Sequence, residues 1–316
     1  MNLNIGFIGL GAMGYGMASN IRKKMPKDGV LYIFDVDLSV CHKFKEEFGG
    51  YGKVEIVDNA KEAAENSAGV VSVLPSAAIV RDTFLNETTG IIASKKNGER
   101  LLLECSTIDS SSAQSIGRQV VAAMSGVYID GPVSGGAPGA TSGTLSFMLG
   151  HPKPGPNPST AEKCLLGMVL MMGHPQKLFW CGELGSGTTA KIVNNYLSGT
   201  ILLANCEAMA LGVRAGLDPK LLFEVVSNST GQSFMFSNVN PVPGLSPDAP
   251  ASRDYQGGFR EPMMIKDMTL AIDAAEAVGV NPSLAKAARY VYREASEDPY
   301  CAQRDATVVY HWLSRK

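Results

Sequence analysis

The sequence lacks the residue spacings with which proteins usually hold structural metals or disulfides. Its four histidines form no HExxH or similar pattern, and none of its six cysteines belongs to a CxxC pair. The cysteines are Cys41, Cys105, Cys164, Cys181, Cys206 and Cys301. Zinc sites and disulfide frameworks depend on such spacings, so the sequence predicts no metal, a reducing compartment and mostly buried thiols.

Long apolar runs and concentrated positive charge are scarce as well. The longest uninterrupted apolar run, CLLGMVLMM at 164–172, has nine residues, whereas a membrane-spanning helix needs roughly 18. The one basic cluster, Arg22 to Lys27, is short, and the formal net charge is −2. These absences predict a soluble protein with neither a membrane nor a nucleic acid as partner.

Length and composition indicate a two-domain protein. Apolar residues make up 45% and charged residues 18% of the 316 residues, and single cores rarely grow beyond roughly 250–300 residues. We predict an α/β fold in which a Rossmann-type doubly wound sheet in residues 1–185 precedes an all-helical domain in residues 186–316. A long helix shared by the two domains is expected to join them.

The stretch NIGFIGLGAMGYGMASNI, residues 4–21, predicts a strand, a tight turn and a helix. Its turn has the spacing Gly9-x-Gly11-x-x-Gly14, which is typical of dinucleotide-binding folds. Gly9 permits the turn, Gly11 lets the backbone approach a pyrophosphate, and Gly14 lets the helix pack close to the strand. The predicted cofactor contacts here are Gly9, Leu10, Gly11, Ala12, Met13 and Gly14.

A carboxylate follows at the distance that a dinucleotide-binding fold requires. The segment VLYIFDVD, residues 30–37, predicts a second strand that ends near Asp35. A carboxylate at this place accepts hydrogen bonds from ribose hydroxyls and repels a 2′-phosphate, which favours NAD over NADP. An Asp that only begins a turn is the alternative interpretation.

Three more apolar segments alternate with helical ones, which predicts a parallel sheet flanked by helices. They span 69–75, 100–107 and 126–135. Ligands of such sheets bind beyond the carboxyl ends of strands, where Leu74, Pro75 and Thr107 lie. We expect these residues to line the cofactor site, although the Thr107 hydroxyl can equally cap the next helix.

The segment 130–150 is too rich in glycine to be a simple connection between elements. Within its first part, DGPVSGG, the residues Ser134, Gly135 and Gly136 can present a hydroxyl and successive N–H groups to an anion such as a substrate carboxylate. Glycines that only relieve steric crowding are the alternative.

The second half of the sequence is mostly helical after one strand-like piece at 176–182. A long helix is predicted over 188–215, and shorter ones over 218–228, 262–279, 282–296 and 301–313. Lys191 and Asn195 are four residues apart on the long helix and therefore share a face. Beside a nicotinamide, a partly buried Lys with a lowered pKa suits proton transfer to or from an oxygen as hydride moves. An ordinary solvated lysine is the alternative.

Four motifs in order resemble the β-hydroxyacid dehydrogenase family, and within it the 3-hydroxyisobutyrate branch. They are GFIGLGAMGYGMASNI, DGPVSGG, GSGTTAKIVNN and GGFREPMMIKDMTLA, and together with NPVPG and DYQGGF they extend the resemblance over nearly the whole chain. The resemblance implies NAD-dependent oxidation of 3-hydroxyisobutyrate to methylmalonate semialdehyde, a step of valine breakdown.

Site roles follow from the same resemblance. It implies that Lys191 is the catalytic acid/base, that Asn195 orients the substrate, and that Ser134, Gly135 and Gly136 hold its carboxylate. It also places Lys266 near the nicotinamide and Asp267 near the long helix. A homodimer or homotetramer and a mitochondrial location are implied too, although no import signal precedes LNIGFIGLG and a cytoplasmic location is the alternative.

Several alternatives stay open. Arg260 and Glu261 stand where relatives often carry small residues, and the proline-rich loop 151–160 is long, so the exact 3-hydroxy acid is undetermined. Reduction of tartronate semialdehyde or glyoxylate is the first alternative, although FDVDLS does not resemble the Arg-containing loop of those relatives. A non-catalytic binding module of the same fold is the second, and the presence of Lys191 argues against it.

Overall fold

The computed structural model describes residues 4–315, and the chain divides into two compact units. One unit ends at Lys191 and the other begins at Ile192. The division falls within a single long helix, between two of its consecutive residues.

The first unit is built on a six-stranded parallel sheet with strand order β3-β2-β1-β4-β5-β6. Its strands are β1 (Ile5–Ile8), β2 (Leu31–Phe34), β3 (Val54–Ile56), β4 (Gly69–Ser72), β5 (Leu101–Glu104) and β6 (Val127–Asp130). All five neighbouring pairs are parallel. Successive strands are added to one side of β1 as far as β3, and from β4 onward they are added to its other side. Ligands of such sheets bind where this order changes, so we expect binding at the carboxyl ends of β1 and β4.

Helices cover both faces of this sheet. They are α1 (Gly14–Lys24), α2 (Leu38–Phe48), α3 (Ala60–Glu65), α4 (Ala77–Leu85), α5 (Ser110–Ala122), α6 (Gly136–Ser142) and α7 (Thr160–Met172). One core lies between the sheet and the helices α1, α2 and α7, and a second lies between the sheet and α3, α4 and α5. The predicted doubly wound fold is confirmed, since parallel sheets need both faces covered.

A small second sheet was not predicted. It consists of β7 (Val133–Ser134), β8 (Leu145–Leu149) and β9 (Gly173–Trp180), with β7 antiparallel and β9 parallel to β8. The predicted strand over 126–135 is therefore wrong in one respect: it is two strands in two sheets. Pro132 separates them, because proline has no N–H group to continue a strand ladder.

The predicted long helix is α8 (Ser186–Arg214), with 29 residues. This helix is long enough and apolar enough to cross a membrane by length and composition alone, and part of its apolar surface is buried inside the chain. The core helices of soluble proteins meet the same criterion, so this is weak evidence for a membrane span.

Regular structure in the second unit is helical. Beyond α8 it contains α9 (Pro219–Ser227), α10 (Phe234–Asn238), α11 (Glu261–Ala277), α12 (Ser283–Ser296) and α13 (Val309–Arg315). The core joins α8, α11, α12 and α13, and the buried Tyr292 hydroxyl donates to the Gly199 carbonyl oxygen at 2.9 Å.

The helix predicted over 301–313 is wrong in its first part. Asp305 is extended, and its carboxylate accepts a hydrogen bond from the Thr307 N–H at 2.9 Å. It therefore caps a short 3-10 helix, Ala306–Val308, that leads into α13. A residue that caps a helix cannot also continue one from the residues before it.

Candidate active site

The three glycines of the turn after β1 are present for two different reasons. Gly9 has φ +93°, and a Cβ there would lie 2.2 Å from the Val73 carbonyl oxygen; a Cβ on Gly14 would lie 1.9 Å from the Gly9 oxygen. Packing within the protein therefore requires both glycines. A Cβ on Gly11 would meet no atom within 4 Å. Gly11 is thus not required by packing, and the open space beside it suits the close approach of a pyrophosphate.

Asp35 lies just after β2 and is hydrogen-bonded to the glycine turn. Its Oδ2 accepts from the Leu10 N–H at 2.6 Å, and its Oδ1 accepts from the Asp37 N–H at 2.9 Å. The sequence-predicted contacts Gly9 to Gly14 and Asp35 are therefore brought together. A carboxylate has about four acceptor positions, so each oxygen retains one for a ribose hydroxyl.

Leu74, Pro75 and Thr107 lie at the carboxyl ends of β4 and β5, as predicted from their sequence positions. The Leu74 N–H donates to the Ser106 hydroxyl at 2.7 Å, which ties the two strand ends together. The cap of α5 is Asp109, whose carboxylate accepts from the Ser112 N–H at 2.7 Å. Thr107 is therefore not the cap of α5, and its contact with the cofactor stays a prediction.

Cys105 sits at the same edge of the sheet but is unsuited to be a nucleophile. Burial raises the pKa of its thiol well above the usual range, and the nearby Glu104 adds to the shift. A buried thiol with a raised pKa stays protonated at neutral pH, which makes Cys105 a poor nucleophile.

The loop Ser134 to Gly136 turns sharply between β7 and α6. Gly135 has φ +135° and Gly136 has φ +64°, and both are exposed. A Cβ on Gly136 would meet only the Pro138 ring, at 3.6 Å. Backbone conformation rather than crowding therefore explains this glycine, and the chain at this point is accessible to an anion.

Lys191 and Asn195 lie one turn apart on α8, and both are buried, with 8% of each residue exposed. Within the second unit, the Asn195 Nδ2 donates to the Asp267 Oδ2 at 2.5 Å, and the Lys266 Nζ lies 3.1 Å from the Asp267 Oδ1. The Asn194 Nδ2 donates to the Asn195 Oδ1 at 3.1 Å. The buried Asp267 thus orients one amide and one ammonium group.

The predicted site residues fall into two sets. The first unit contains the glycine turn, Asp35, Leu74, Pro75, Thr107, Ser134 to Gly136 and Lys191, and the second unit contains Asn195 and Lys266. Sequence reasoning missed Asp130, whose buried carboxylate contacts the start of α8. No local signal marked it, because a strand that ends in Asp is common before a turn.

Two family descriptions match the chain. "NAD binding domain of 6-phosphogluconate dehydrogenase" matches residues 4–160, and "NAD-binding of NADP-dependent 3-hydroxyisobutyrate dehydrogenase" matches residues 185–313. Together they support the predicted nicotinamide dinucleotide cofactor.

Individual relatives are similar over nearly their whole length. Mitochondrial 3-hydroxyisobutyrate dehydrogenase of Rattus norvegicus is 36% identical, covering 98% of this chain and 86% of the relative. The enzyme of that name from Pseudomonas aeruginosa is also 36% identical, covering 92% and 91%. The solved structure of Mycobacterium tuberculosis 3-hydroxyisobutyrate dehydrogenase with L-serine has a TM-score of 0.82 and 30% identity, with 99% of both chains covered. By this extent of similarity, the chain belongs to the 3-hydroxyisobutyrate dehydrogenase family of nicotinamide-dinucleotide-dependent oxidoreductases.

Proposed function

We propose that the protein oxidises 3-hydroxyisobutyrate to methylmalonate semialdehyde with NAD, and that Lys191 is the acid/base. When bound, NAD would supply the acceptor for the hydride that leaves the carbinol carbon. The observation that carries the proposal is the burial of Lys191 on an apolar helix, in a chain of this family. Burial restricts the positions that the Lys191 amine can take, and a proton-transfer group needs such a restricted position.

Lys191 is proposed to take the hydroxyl proton of the substrate as the hydride departs. In the reverse direction the Lys191 ammonium would donate that proton to the carbonyl oxygen. Proton transfer by a positioned side chain contributes typically about 100- to 10,000-fold to turnover. Lys191 would be the residue whose loss affects chemistry more than binding.

Asn195 is proposed to orient the reacting oxygen. Its Nδ2 is committed to Asp267 by a 2.5 Å hydrogen bond, so the rotation of the amide is fixed. The other Nδ2 hydrogen and a lone pair on Oδ1 stay available to a substrate. Asn194 supports this arrangement from the neighbouring position, where it donates to the Asn195 Oδ1.

Ser134, Gly135 and Gly136 are proposed to bind the substrate carboxylate. Both glycines are exposed, have positive φ values and carry no side chain, so an anion can approach their backbone N–H groups closely. Lys266 is proposed to lie near the nicotinamide, with Asp267 holding its ammonium group in place.

Asp35 supports NAD rather than NADP as the cofactor, although one matching family description names NADP. Its carboxylate is fixed toward the glycine turn by the Leu10 N–H. A carboxylate so placed would accept from both ribose hydroxyls and repel a 2′-phosphate.

A second candidate is oxidation of another short 3-hydroxy acid. The similar Mycobacterium tuberculosis structure is described with L-serine, which is itself a 3-hydroxy acid. Glycerate, the 3-hydroxy acid that corresponds to tartronate semialdehyde, and glycolate, the 2-hydroxy acid that corresponds to glyoxylate, complete the alternatives.

The test is NADH formation with a panel of 3-hydroxyisobutyrate, L-serine, D-glycerate and glycolate, in wild type and Lys191→Ala. We expect the highest kcat/KM with 3-hydroxyisobutyrate, and a loss of about 100-fold or more in kcat for Lys191→Ala with NAD binding unchanged. Higher kcat/KM with another acid would overturn the substrate assignment, and near-normal turnover of Lys191→Ala would overturn the mechanism. No turnover with any acid would favour a binding module.

A role in valine breakdown and a mitochondrial location are proposed from the relatives. Mitochondrial and bacterial enzymes are both among them, so the compartment depends on the cell that makes the protein. Fractionation of that cell, with detection of the chain outside mitochondria only, would contradict the mitochondrial assignment.

A further inference from the structure

Asp130, the last residue of β6, is a fully buried carboxylate that the proposed reaction does not use. Its Oδ1 accepts from the Gly185 N–H at 2.8 Å, and its Oδ2 accepts from the Thr188 N–H and hydroxyl at 2.7 and 2.9 Å. Gly185 directly precedes α8, and Thr188 is in its first turn. Asp130 therefore caps the helix that carries Lys191, from a strand 55 residues away in sequence.

A local side chain could not replace this cap without strain. Gly185, at the capping position, has φ +92°, and a Cβ there would lie 2.6 Å from the Ser110 hydroxyl. An Asp or Ser at 185, the usual solution at a helix start, would be strained for both reasons. The Thr188 N–H in the first turn instead donates to a carboxylate, which is favourable at a helix N-terminus.

The packing around Asp130 leaves little freedom for the start of α8. A Cβ on Gly187 would lie 2.2 Å from the Met148 carbonyl oxygen, and a Cβ on Gly150 would lie 1.9 Å from the Asp130 Oδ1. Only glycine fits at either position. The first turn of α8 therefore packs directly against the end of β8 and the Asp130 carboxylate.

The same contacts reach the loop that is proposed to bind the substrate carboxylate. The Gly150 N–H donates to the Asp130 carbonyl oxygen at 2.7 Å, which ties the end of β8 to β6. Along β8, Ser146 pairs with Ser134 of that loop. Lys191 follows Thr188 by three residues and so lies on its side of the helix. All of these residues belong to the first unit.

We propose that Asp130 is a positioning residue. It fixes the first turn of α8 to the ends of β6 and β8, and thereby keeps the Lys191 amine at a constant position relative to Ser134 to Gly136. The proposal rests on the proposed function, in which Lys191 moves the substrate proton. Small displacements of an acid/base are costly, since an error of about 1 Å in a reacting group can lower turnover roughly 100-fold.

The first test is Asp130→Asn, which keeps the shape but turns one acceptor oxygen into a donor facing helix N–H groups. We expect kcat to fall about 100-fold, with the Kd for NAD within about twofold of wild type, since no cofactor contact is changed. Kinetics would be measured well below the Tm of the variant.

A milder pair of variants makes the test independent of whether Asp130→Asn folds. Thr188→Val removes one of the three hydrogen bonds and is expected to lower kcat by roughly 5- to 10-fold, and Thr188→Ser, which keeps the hydroxyl, should restore it. Thr189→Val is the matched control: Thr189 is exposed, and its hydroxyl donates to the Gly185 carbonyl oxygen, not to Asp130. Its kcat should match wild type.

A double-mutant cycle with Lys191→Ala separates positioning from general damage. The cycle combines Asp130→Asn with Lys191→Ala; if Asp130→Asn does not fold, Thr188→Val takes its place. If Asp130 acts through Lys191, the double variant will have the same residual kcat as Lys191→Ala alone. Losses that multiply would overturn the proposal, as would a kcat within about twofold of wild type for folded Asp130→Asn or for Thr188→Val. Near-normal turnover of Lys191→Ala alone would instead refute the proposed function.

Discussion

Asp35 shows how one side chain can serve both the fold and cofactor choice. Its two oxygens accept from the Leu10 and Asp37 N–H groups, so the carboxylate cannot turn away from the glycine turn. We predict that Asp35→Ala weakens NAD binding and lowers the ratio of kcat/KM for NAD over NADP by at least about 10-fold, because both the ribose acceptor and the charge that repels a 2′-phosphate are lost.

The measurement is the initial rate with each cofactor across a concentration series. Asp37→Ala is the matched control, since Asp37 is an exposed carboxylate that caps α2 through the Ser39 N–H and makes no hydrogen bond to Leu10. It should leave the cofactor ratio unchanged. An Asp35→Ala enzyme with the wild-type ratio would remove the physical basis for choosing NAD.

At this scale the sequence predicted residue types better than it predicted contacts. Gly9, Gly11 and Gly14 are identified by spacing alone, and the structure adds that only Gly11 has free space in place of a Cβ. Asp130 could not be found in the same way. Its importance depends on Gly185 and Thr188, which come near it only after the chain has folded.

Among the elements, the sequence predicts most of those with a strong apolar pattern and misses several that are short or weakly patterned; α7 is an exception, since it contains the longest apolar run and was still not predicted. The strands β1, β4 and β5 are wholly buried and mostly apolar, and α8 is a long helix without proline and with a mostly apolar middle. The helices α2 and α7 and the strands β3 and β8 are not among the predicted elements. β3 has only three residues, too few for a period to show, and β8 lies inside a segment dominated by glycine.

The helix α11 begins with Glu261, a residue whose role the sequence did not predict. Glu261, its first residue, is fully buried, and neither carboxylate oxygen has a hydrogen-bond partner among residues 4–315. Burial raises the pKa of this carboxyl to about 8, and the charge of Asp298 adds to the shift. The folded protein therefore holds a proton here that the unfolded chain loses near pH 4.5.

This difference in pKa makes the free energy of unfolding depend on pH, and Glu261→Gln should remove the contribution of Glu261 to that dependence. Between about pH 4.5 and 8 the folded state binds more protons at this group than the unfolded state, so the free energy of unfolding falls as pH rises through that range. Glutamine stays neutral throughout. We expect Glu261→Gln to change Tm little at pH 5 and to raise it by roughly 5 °C at pH 8.5.

Thermal unfolding of both proteins at the two pH values is the measurement. Glu297→Gln is the control, because it removes an exposed carboxyl at the end of α12. Its effect on Tm should be small at both pH values. An equal gain for Glu261→Gln at pH 5 and pH 8.5 would show that Glu261 does not titrate as argued.

For the molecule as a whole, the order of the four motifs was sufficient to identify the family, and the comparisons confirm it. Each motif is short, but their order and separation are set by one fold, so together they exclude unrelated dinucleotide-binding proteins. The assembly of the molecule is a different matter. It depends on which surface side chains meet another copy, and a sequence pattern marks apolar positions without saying what covers them.

The apolar surface of α8 in the second unit is the basis of the last prediction. Val193, Leu197, Ala204, Ala208 and Leu211 are exposed and, at 100° per residue, fall within about 60° of one another around the helix. Leu211 is 72% exposed. Apolar stripes of this length are uncommon on the surface of monomers and suit a self-complementary contact about a twofold axis. We propose that this stripe forms the interface of a homo-oligomer.

A charge on the stripe should break that contact. The double variant Leu197→Glu and Leu211→Glu would bury unpaired carboxylates against a second copy, which costs far more than the contact gains. We expect light scattering to give a multiple of the 33.5 kDa chain mass for wild type and the chain mass itself for the variant. Leu284→Glu, at an exposed leucine on α12, is the control and should keep the wild-type mass. A monomeric wild type, or a double variant that assembles as wild type does, would place the stripe outside any subunit interface.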